Sequence, residues 1–194
     1  IDISERNIEL YGTVSFQSFS SSVDNNSAVV DGSSSYSLFS VGLEYYSQNP
    51  DSFLGKFSIF PFVQSTQQGY LSYEGSQVDS SVFEVGGGIN WHPINPPNLT
   101  NHFIFFAQFT YAIGSISDSF AMGTNTDNSV EVEGTTNSFS LGGGLKYYTQ
   151  NAIGFRLLVD YYSRDDSFDS ADQLGTDISR DQAGPRIMLG LSYR

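Results

Sequence analysis

Two histidines are the side chains in this sequence best suited to acid–base catalysis. His92 and His102 flank a segment that contains Pro93, Pro96 and Pro97. A serine nucleophile needs a base such as imidazole within hydrogen-bond reach, so a hydrolytic site of this kind would have to include one of these two residues. A proline-rich turn, in which both histidines merely occupy turn positions, explains them without any chemistry.

Carboxylates are the second group that could do chemistry, and they are concentrated in two polar segments, 115–136 and 165–183. These acids are Asp118, Asp127, Glu131, Glu133, Asp165, Asp166, Asp169, Asp172, Asp177 and Asp181. Carboxylate oxygens bind Ca²⁺, but the segments lack the ordered spacing of a calcium loop. We therefore interpret them as solvated acidic loops and predict no metal site and no cofactor.

The composition narrows the class of protein. A length of 194 residues predicts one domain covering 1–194. The absence of cysteine excludes disulfides, thiol catalysis and zinc–thiolate sites. A net charge of -13 argues against nucleic-acid binding. The 12 Tyr, 16 Phe and 19 Gly residues favour strands and turns over helices, and no apolar run approaches the roughly 20 residues of a membrane helix.

Strands are predicted from side chains that alternate in character along the chain, most clearly at its end. Ile187, Leu189, Leu191 and Tyr193 alternate with Arg186, Met188, Gly190, Ser192 and Arg194. Successive side chains of a strand point to opposite faces, so this segment has one apolar and one polar face. Seven upstream segments repeat the pattern. Long connections at 20–35, 65–80, 115–136 and 165–183 alternate with short turns.

The predicted fold class is therefore all-β, as an eight-stranded antiparallel up-and-down transmembrane β-barrel with long loops at one end and short turns at the other. Pro61 lies inside the third strand and cannot donate a ladder hydrogen bond, which predicts a bulge or a strand end near it. Val130-Glu131-Val132-Glu133 also alternates, so we expect the sixth strand to continue into the long connection before it.

All charges of the strands fall on the polar face, and in a barrel that face would line the interior. The predicted interior charge network consists of Glu9, Glu44, Lys56, Glu84, Lys146, Arg156, Asp160 and Arg186. Buried charges must be paired, so we expect ion pairs, and Glu9 on the adjacent first strand is a candidate partner of Arg186. Inward tyrosines and phenylalanines would plug the remaining space, which favours a structural network over a conducting pore.

The apolar face has two possible environments. It could contact membrane lipid, or it could form the interior of a soluble lipocalin-like barrel. Lipid is favoured because the polar face is rich in small residues, which suit the narrow interior of an eight-stranded barrel. Aromatic residues also gather at the strand ends beside the short turns, as in an interfacial girdle. The predicted girdle consists of Tyr45, Trp91, Phe103, Tyr147, Phe155 and Tyr193.

With these features the chain resembles the small eight-stranded bacterial outer membrane barrels of the OmpA/OmpX type. The C-terminal strand carries the most specific likeness, although the family usually ends in an aromatic residue. This chain stops at Arg194, so we expect one further aromatic residue in the natural protein. The resemblance implies a bacterial outer membrane location, with outer membrane lipid and lipopolysaccharide as neighbours.

Some barrels of this kind modify lipid A, which lies in the outer leaflet. His92 and His102 belong to a short turn on the presumed periplasmic side, so we predict no catalytic residues and no enzyme. We expect a structural or surface-interaction role through acidic extracellular loops, with a protein partner at the loops or within a larger membrane assembly. A narrow channel or transporter for small molecules and a soluble ligand-binding barrel stay open as alternatives.

Overall fold

The fold is all-β in a computed structural model that describes residues 7–24, 29–47, 52–71, 77–94, 100–121, 129–168 and 178–194. Its strands are β1 Ile8–Asp24, β2 Val29–Tyr46, β3 Phe57–Leu71, β4 Gln77–Trp91, β5 Phe103–Ala121, β6 Ser129–Tyr148, β7 Ile153–Phe168 and β8 Ile178–Tyr193. Within these ranges the one helical segment is a short 3-10 turn, Phe53–Lys56, before β3. No helix in the described ranges is long and apolar enough to cross a membrane.

The sheet closes on itself. Each strand pairs antiparallel with its neighbours in sequence, and β1 also pairs with β8, which gives the order β1-β2-β3-β4-β5-β6-β7-β8. The register places Glu9 opposite Glu44 between β1 and β2, and Leu10 opposite Tyr193 between β1 and β8. The predicted fold class, a closed antiparallel barrel of eight strands, is confirmed.

Alternation of side chains gives the wall two opposite surfaces. Along β7, exposed and buried residues alternate from Ile153 to Phe168. The apolar residues predicted for one face, such as Leu189 and Leu191, are exposed, while polar residues and many aromatic rings are buried inside. This arrangement reverses that of a soluble barrel with an apolar core.

Small residues face inward where side chains and backbone of the adjacent strands come close. A Cβ added to Gly88 would lie 2.4 Å from the Phe60 ring and 2.6 Å from the carbonyl oxygen of Phe109. At the outward-facing neighbour Gly87 the nearest atom would be 3.5 Å away. The interior of an eight-stranded barrel is just wide enough for its side chains, and inward glycines provide part of that space.

The prediction of a bulge or strand end at Pro61 is wrong. Pro61 lies inside β3 and pairs with Gly87 of β4. On its other side, Gly42 faces Phe62 and Tyr45 faces Ile59, so the register with β2 is the same on both sides of the proline. The ladder loses the pairs at Pro61 and its neighbour, and no residue is inserted.

A similar interruption occurs where β8 closes the barrel. Val14 faces Leu189 and Ser20 faces Ala183, and the ladder between them is unpaired although the register is unchanged. Pro185, which has no amide hydrogen to donate, lies in the unpaired stretch of β8. The hydroxyl of Ser15 donates to the carbonyl oxygen of Ile187 at 2.7 Å and bridges part of the gap.

The strands reach further at one end than the sequence predicted. The ladders continue to Asp24↔Val29, Leu71↔Gln77, Ala121↔Ser129 and Phe168↔Ile178, so much of each predicted long connection is strand. The predicted extension of β6 is confirmed. The boundaries were misplaced because the outward residues there become polar. An outward position in water needs no apolar side chain, and the backbone pairing continues without one.

Candidate functional site

The barrel interior holds a balanced set of buried charges. Six carboxylates and six cationic side chains are buried. They are Glu9, Glu44, Glu84, Asp118, Asp160 and Asp166, with Lys146, Arg156, Arg164, Arg180, Arg186 and Arg194. Because these charges cancel, the net charge of -13 resides on the outer surface and on residues outside the described ranges.

The first cluster lies at the end of the barrel that carries the termini, and Glu44 is its centre. Lys146 Nζ donates to both Glu44 oxygens at 2.6 Å, and Arg156 Nη1 donates to Oε2 at 2.9 Å. Ser58 Oγ and Asn90 Nδ2 donate to Oε1 at 2.5 and 2.8 Å. A buried carboxylate with this many donors and two cations has its desolvation largely compensated.

Glu9 is the second carboxylate of this cluster. Its Oε2 accepts hydrogen bonds from the hydroxyls of Tyr46 and Tyr148 and lies 3.7 Å from Lys146 Nζ. The guanidinium of Arg194 stacks on the Tyr46 ring, 3.9 Å from its centroid. Side chains from β1, β2, β6 and the C-terminal residue therefore meet at this end of the lumen.

His92 belongs to the same cluster, which the sequence did not predict. It directly follows β4 and is 1% exposed. Its Nδ1 lies 3.2 Å from the carbonyl oxygen of Lys56, and its Nε2 lies 4.0 Å from Glu44 Oε1. Burial, reinforced by the positive charge of Lys146 and opposed by Glu44, lowers the pKa of His92 to about 4. His92 is thus a buried, neutral residue inside the barrel, whereas His102 is exposed and its Nδ1 lies 2.7 Å from the carbonyl oxygen of Thr100.

A second cluster lies near the middle of the barrel. Arg186 and Asp160 form a two-pronged ion pair, with Nε to Oδ1 at 2.9 Å and Nη2 to Oδ2 at 2.6 Å. Glu84 accepts from neutral donors, Gln64 Nε2 and Ser138 Oγ, each at 2.5 Å. This cluster therefore consists of one direct ion pair, Arg186–Asp160, and one carboxylate, Glu84, that accepts hydrogen bonds from neutral side chains.

A third cluster fills the projecting end of the barrel. Arg180 donates to Asp118 Oδ2 at 2.8 Å and to Asp166 Oδ2 at 2.9 Å. Arg164 Nε lies 3.0 Å from Asp166 Oδ1, and its Nη2 donates to Gln68 Oε1 at 2.8 Å. Ion pairs therefore cross the lumen at this level too.

Between the first and second clusters there is little free space. The interior cavity there has a volume of about 30 Å³ and is lined by aromatic and polar side chains, including Tyr11, Phe60, Phe62, Arg156 and Tyr162. Such a volume holds about one or two water molecules. Aromatic rings and paired charges therefore leave little free space between these two clusters.

The structure places seven of the eight predicted network residues inside the barrel; Lys56 is the exception. Lys56 is exposed because it ends the 3-10 turn, and the alternation of β3 begins only at Phe57. The expected partner of Arg186 was also wrong. The β7–β8 register places Asp160 directly opposite Arg186, whereas Glu9 lies near Arg194, at the far end of β8 from Arg186.

Three charged residues of the third cluster were missed as interior residues: Asp118, Asp166 and Arg180. The two aspartates were assigned to solvated loops, whereas Arg164 was expected on the inward face of the seventh strand, near its rim. The signal for Asp166 was present in the sequence, because Asp160, Tyr162, Arg164 and Asp166 continue one period-two row. Asp127, Asp169, Asp172 and Asp177 lie outside the described residues.

The outer surface carries an apolar band between two aromatic rows. The predicted girdle residues Tyr45, Trp91, Phe103, Phe155 and Tyr193 are exposed and Tyr147 is half-buried, all at strand ends beside the short turns. Phe16, Phe39, Phe83, Tyr111, Phe139 and Tyr161 form the other row and are also exposed. On β5 the band runs from Phe103 to Tyr111, roughly 25–30 Å of strand at about 3.4 Å per residue. Allowing for strand tilt, this approaches the roughly 25 Å apolar band of outer membrane barrels.

Beyond this band the projecting strands turn polar on the outside. Five exposed acids lie there, and we call them the acidic collar: Asp79, Glu131, Glu133, Asp165 and Asp181. The arginines of the same region, Arg164 and Arg180, are buried in the lumen. Among the described residues, no group of three or more His, Cys, Asp or Glu side chains is placed to hold a metal ion.

Comparison with known proteins gives matches in structure only. No protein-family model and no curated protein matches the chain. The β domain of the Bordetella autotransporter BrkA has a TM-score of 0.51 at 10% identity, covering 97% of this chain and 99% of that one. Ail, the attachment invasion locus protein of Yersinia pestis, and the outer membrane protein OprG of Pseudomonas aeruginosa each have a TM-score of 0.47 at 13% identity. These two alignments cover 96% and 99% of this chain, respectively, and 98% of each matched chain.

The likeness to the BrkA β domain concerns the fold. It agrees with what the barrel itself shows: a closed wall, an apolar outer band with aromatic rows at both edges, and charges confined to the lumen. A soluble lipocalin-like barrel would bury the apolar face that is exposed here. The chain is an eight-stranded antiparallel β-barrel with the fold of bacterial outer membrane proteins, and its exposed apolar band is suited to a lipid bilayer.

Proposed function

We propose that this protein is a non-enzymatic, non-conducting outer membrane barrel that acts at the surface through its acidic collar. The partner class that suits the collar is a protein or peptide with exposed positive charge. The barrel itself serves as a rigid pedestal that fixes the collar beyond the apolar band.

The filled lumen is the observation that carries this proposal. Three clusters of ion pairs and hydrogen bonds cross the barrel, and the interior cavity between the first two measures about 30 Å³. Opening a path would require breaking pairs such as Lys146–Glu44, which lie in surroundings of low dielectric constant. Transport through the barrel is therefore a poorer explanation of the architecture than presentation of its outer surface.

The collar supplies a surface of one sign. In the described part of the projecting strands the exposed charges are all acidic, because Arg164 and Arg180 point inward and pair with Asp166 and Asp118. Asp165 and Asp181 even lie directly opposite each other across β7 and β8. Like charges placed together repel, and an approaching cation relieves that repulsion.

The two histidines support the absence of an enzymatic role. The Nδ1 of each faces a backbone carbonyl oxygen, that of Lys56 for His92 and that of Thr100 for His102. A catalytic base would instead face a nucleophile or a water above a substrate cleft. The arrangement of both residues suits the turns in which they lie.

The experiment measures binding of a cationic oligolysine peptide to the barrel in nanodiscs of neutral lipid, at several salt concentrations. The collar variant combines Asp79→Asn, Glu131→Gln, Glu133→Gln, Asp165→Asn and Asp181→Asn. We expect the natural barrel to bind with an affinity that falls as salt rises, and the collar variant to bind at least about tenfold more weakly, a loss of ~1.4 kcal/mol in binding free energy.

Glu84→Gln is the control, because it removes a buried acid and leaves the surface unchanged. It should bind like the natural barrel. Equal binding by the collar variant, or an equal loss in the Glu84→Gln control, would contradict the proposal. Heat-modifiable migration on a gel verifies that each variant is folded.

A further inference from the structure

Large apolar side chains are exposed in the turns at the end of the barrel opposite the collar. Phe53 and Leu54 of the 3-10 turn are 74% and 69% exposed, and Ile94, in the turn after β4, is 68% exposed. None of the three lies on a strand, so the outward alternation of the wall does not account for them. Exposed apolar groups gathered at one place usually mark a contact surface.

The turn that carries these side chains is held in place. Ser52 caps it, with the amide of Gly55 donating to Ser52 Oγ at 3.0 Å. The amide of His92 donates to the carbonyl oxygen of Lys56 at 2.7 Å, which fastens the turn to the end of β4. Phe53 and Leu54 are therefore presented by a fixed element.

This surface is continuous with the apolar band of the barrel. The Phe53 ring packs against the Phe57 ring at a centroid distance of 5.4 Å, and Phe57 pairs with Trp91 in the β3–β4 ladder. Trp91 belongs to the aromatic row at the edge of the band. The exposed turn therefore extends the lipid-facing surface around the rim of the barrel.

Lys56 adds a positive charge at the same place. It is the one exposed basic side chain in the described ranges, since the other described lysine and all described arginines are buried in the lumen. A lysine can lay its alkyl chain along apolar surface while its ammonium group stays at the polar boundary. At a membrane surface the nearest anions are lipid phosphates.

We propose that Phe53, Leu54, Lys56 and Ile94 form a membrane-surface anchor for the phospholipid leaflet at the rim that carries the termini. The apolar side chains insert between the lipid head groups, and the ammonium of Lys56 binds a phospholipid phosphate. The anchor fixes the depth and tilt of the barrel in the bilayer. It is independent of the collar, which lies at the other end.

The absence of native cysteine permits a direct test with single labels. Leu54→Cys carries a nitrobenzoxadiazole fluorophore in nanodiscs of phosphatidylethanolamine and phosphatidylglycerol. Gln150→Cys is the matched control, because Gln150 is an exposed polar residue in the turn between β6 and β7 at the same end. Spin-labelled phospholipid should quench the label at position 54 several-fold more than the label at 150, and aqueous iodide should do the reverse. Equal quenching at the two positions would overturn the anchor.

A second measurement tests the phosphate contact and the occupant. Lys56→Glu added to the labelled Leu54→Cys chain should reduce quenching by spin-labelled lipid in discs that contain phosphatidylglycerol, while Lys56→Arg should preserve it. An unchanged signal in Lys56→Glu would overturn the role of the lysine. Discs that hold a single barrel exclude self-association. If the label at position 54 is protected from iodide only in discs that hold two barrels, the surface contacts a second copy of the chain, and the lipid assignment is overturned. Unboiled gel migration confirms that each labelled variant is folded.

Discussion

Lys146 Nζ lies 2.6 Å from Glu44 Oε1, and the pair joins β6 to β2, strands on opposite sides of the closed sheet. No backbone ladder connects these two strands, so side chains make the direct contact between them across the lumen. Arg156 of β7 donates to the same carboxylate at 2.9 Å. Glu44 is thus the point at which three parts of the wall are tied together.

Glu44→Gln should therefore destabilise the barrel strongly. The substitution leaves Lys146 and Arg156 buried without their main counter-charge, which typically costs about 3–5 kcal/mol. Guanidinium titration in detergent micelles, followed by the emission of Trp91, measures the free energy of unfolding.

The double variant Glu44→Gln/Lys146→Met removes both charges of the pair. Residues in direct contact couple by roughly 0.5–3 kcal/mol, so the double variant should lose less stability than the two single variants lose together. Strict additivity would show that the two side chains do not interact in the folded barrel.

Asp160→Asn tests the ion pair between Asp160 and Arg186, for which the sequence analysis expected a different partner, Glu9. Arg186 would lose its two-pronged acceptor, and we expect a loss of about 3 kcal/mol in the free energy of unfolding. Asp165→Asn is the control on the same strand, because Asp165 is exposed and surface substitutions usually change stability by about 0.5 kcal/mol or less. Similar losses in the two variants would contradict the buried pair.

The inward glycines of β4 allow a test of lumen packing. Gly88→Ala would place a methyl group 2.6 Å from the carbonyl oxygen of Phe109, and overpacking of this kind costs about 1–3 kcal/mol. Gly87→Ala, one residue earlier and facing outward, should fold with the natural yield. The fraction that migrates as folded protein on an unboiled gel measures the difference, and a reversed order would mean that the two faces of β4 are misassigned.

His92 predicts a pH dependence of stability. Its pKa in the barrel is about 4 against 6.5 for the unperturbed imidazole, so the unfolded chain binds a proton before the folded barrel does. The contribution of His92 to the free energy of unfolding is therefore complete above pH 6.5, and it is lost as the pH falls towards 4. The free energy of unfolding of the natural chain should fall over this range by about 2–3 kcal/mol more than that of His92→Gln.

His102→Gln is the control for this titration and should retain the pH dependence of the natural chain. Parallel curves for the natural chain and His92→Gln would contradict a buried, neutral His92.

The sequence predicted the barrel because period-two alternation is a local property of each strand. Leu189 and Leu191 indicate an apolar face without knowledge of any neighbour. The same alternation placed most of the interior charges. It did not identify ion-pair partners, because these depend on the register between neighbouring strands and on which residues meet across the lumen. Arg186 was assigned to the neighbouring strand β1, whereas its partner Asp160 lies on the other neighbour, β7.

The remaining errors concern the ends of strands. Lys56 was predicted to face inward because the alternation of β3 was extended back to it, although a 3-10 turn interrupts the alternation at that residue. Asp166 and Arg180 were left in a loop because their outward neighbours are polar, although polar outward residues suit a strand that stands in water. His92 lacked any sequence signal for burial, since its position depends on the turn that folds back over the end of the lumen.

Single-channel recording in planar bilayers tests the closed lumen most directly. The folded barrel, added with concentrated potassium chloride on both sides, should give no sustained conductance steps, and a heat-unfolded sample should behave in the same way. Steady steps in the natural barrel, with an ion selectivity that changes in Lys146→Ala or Glu84→Ala, would contradict the closed lumen and establish a narrow channel.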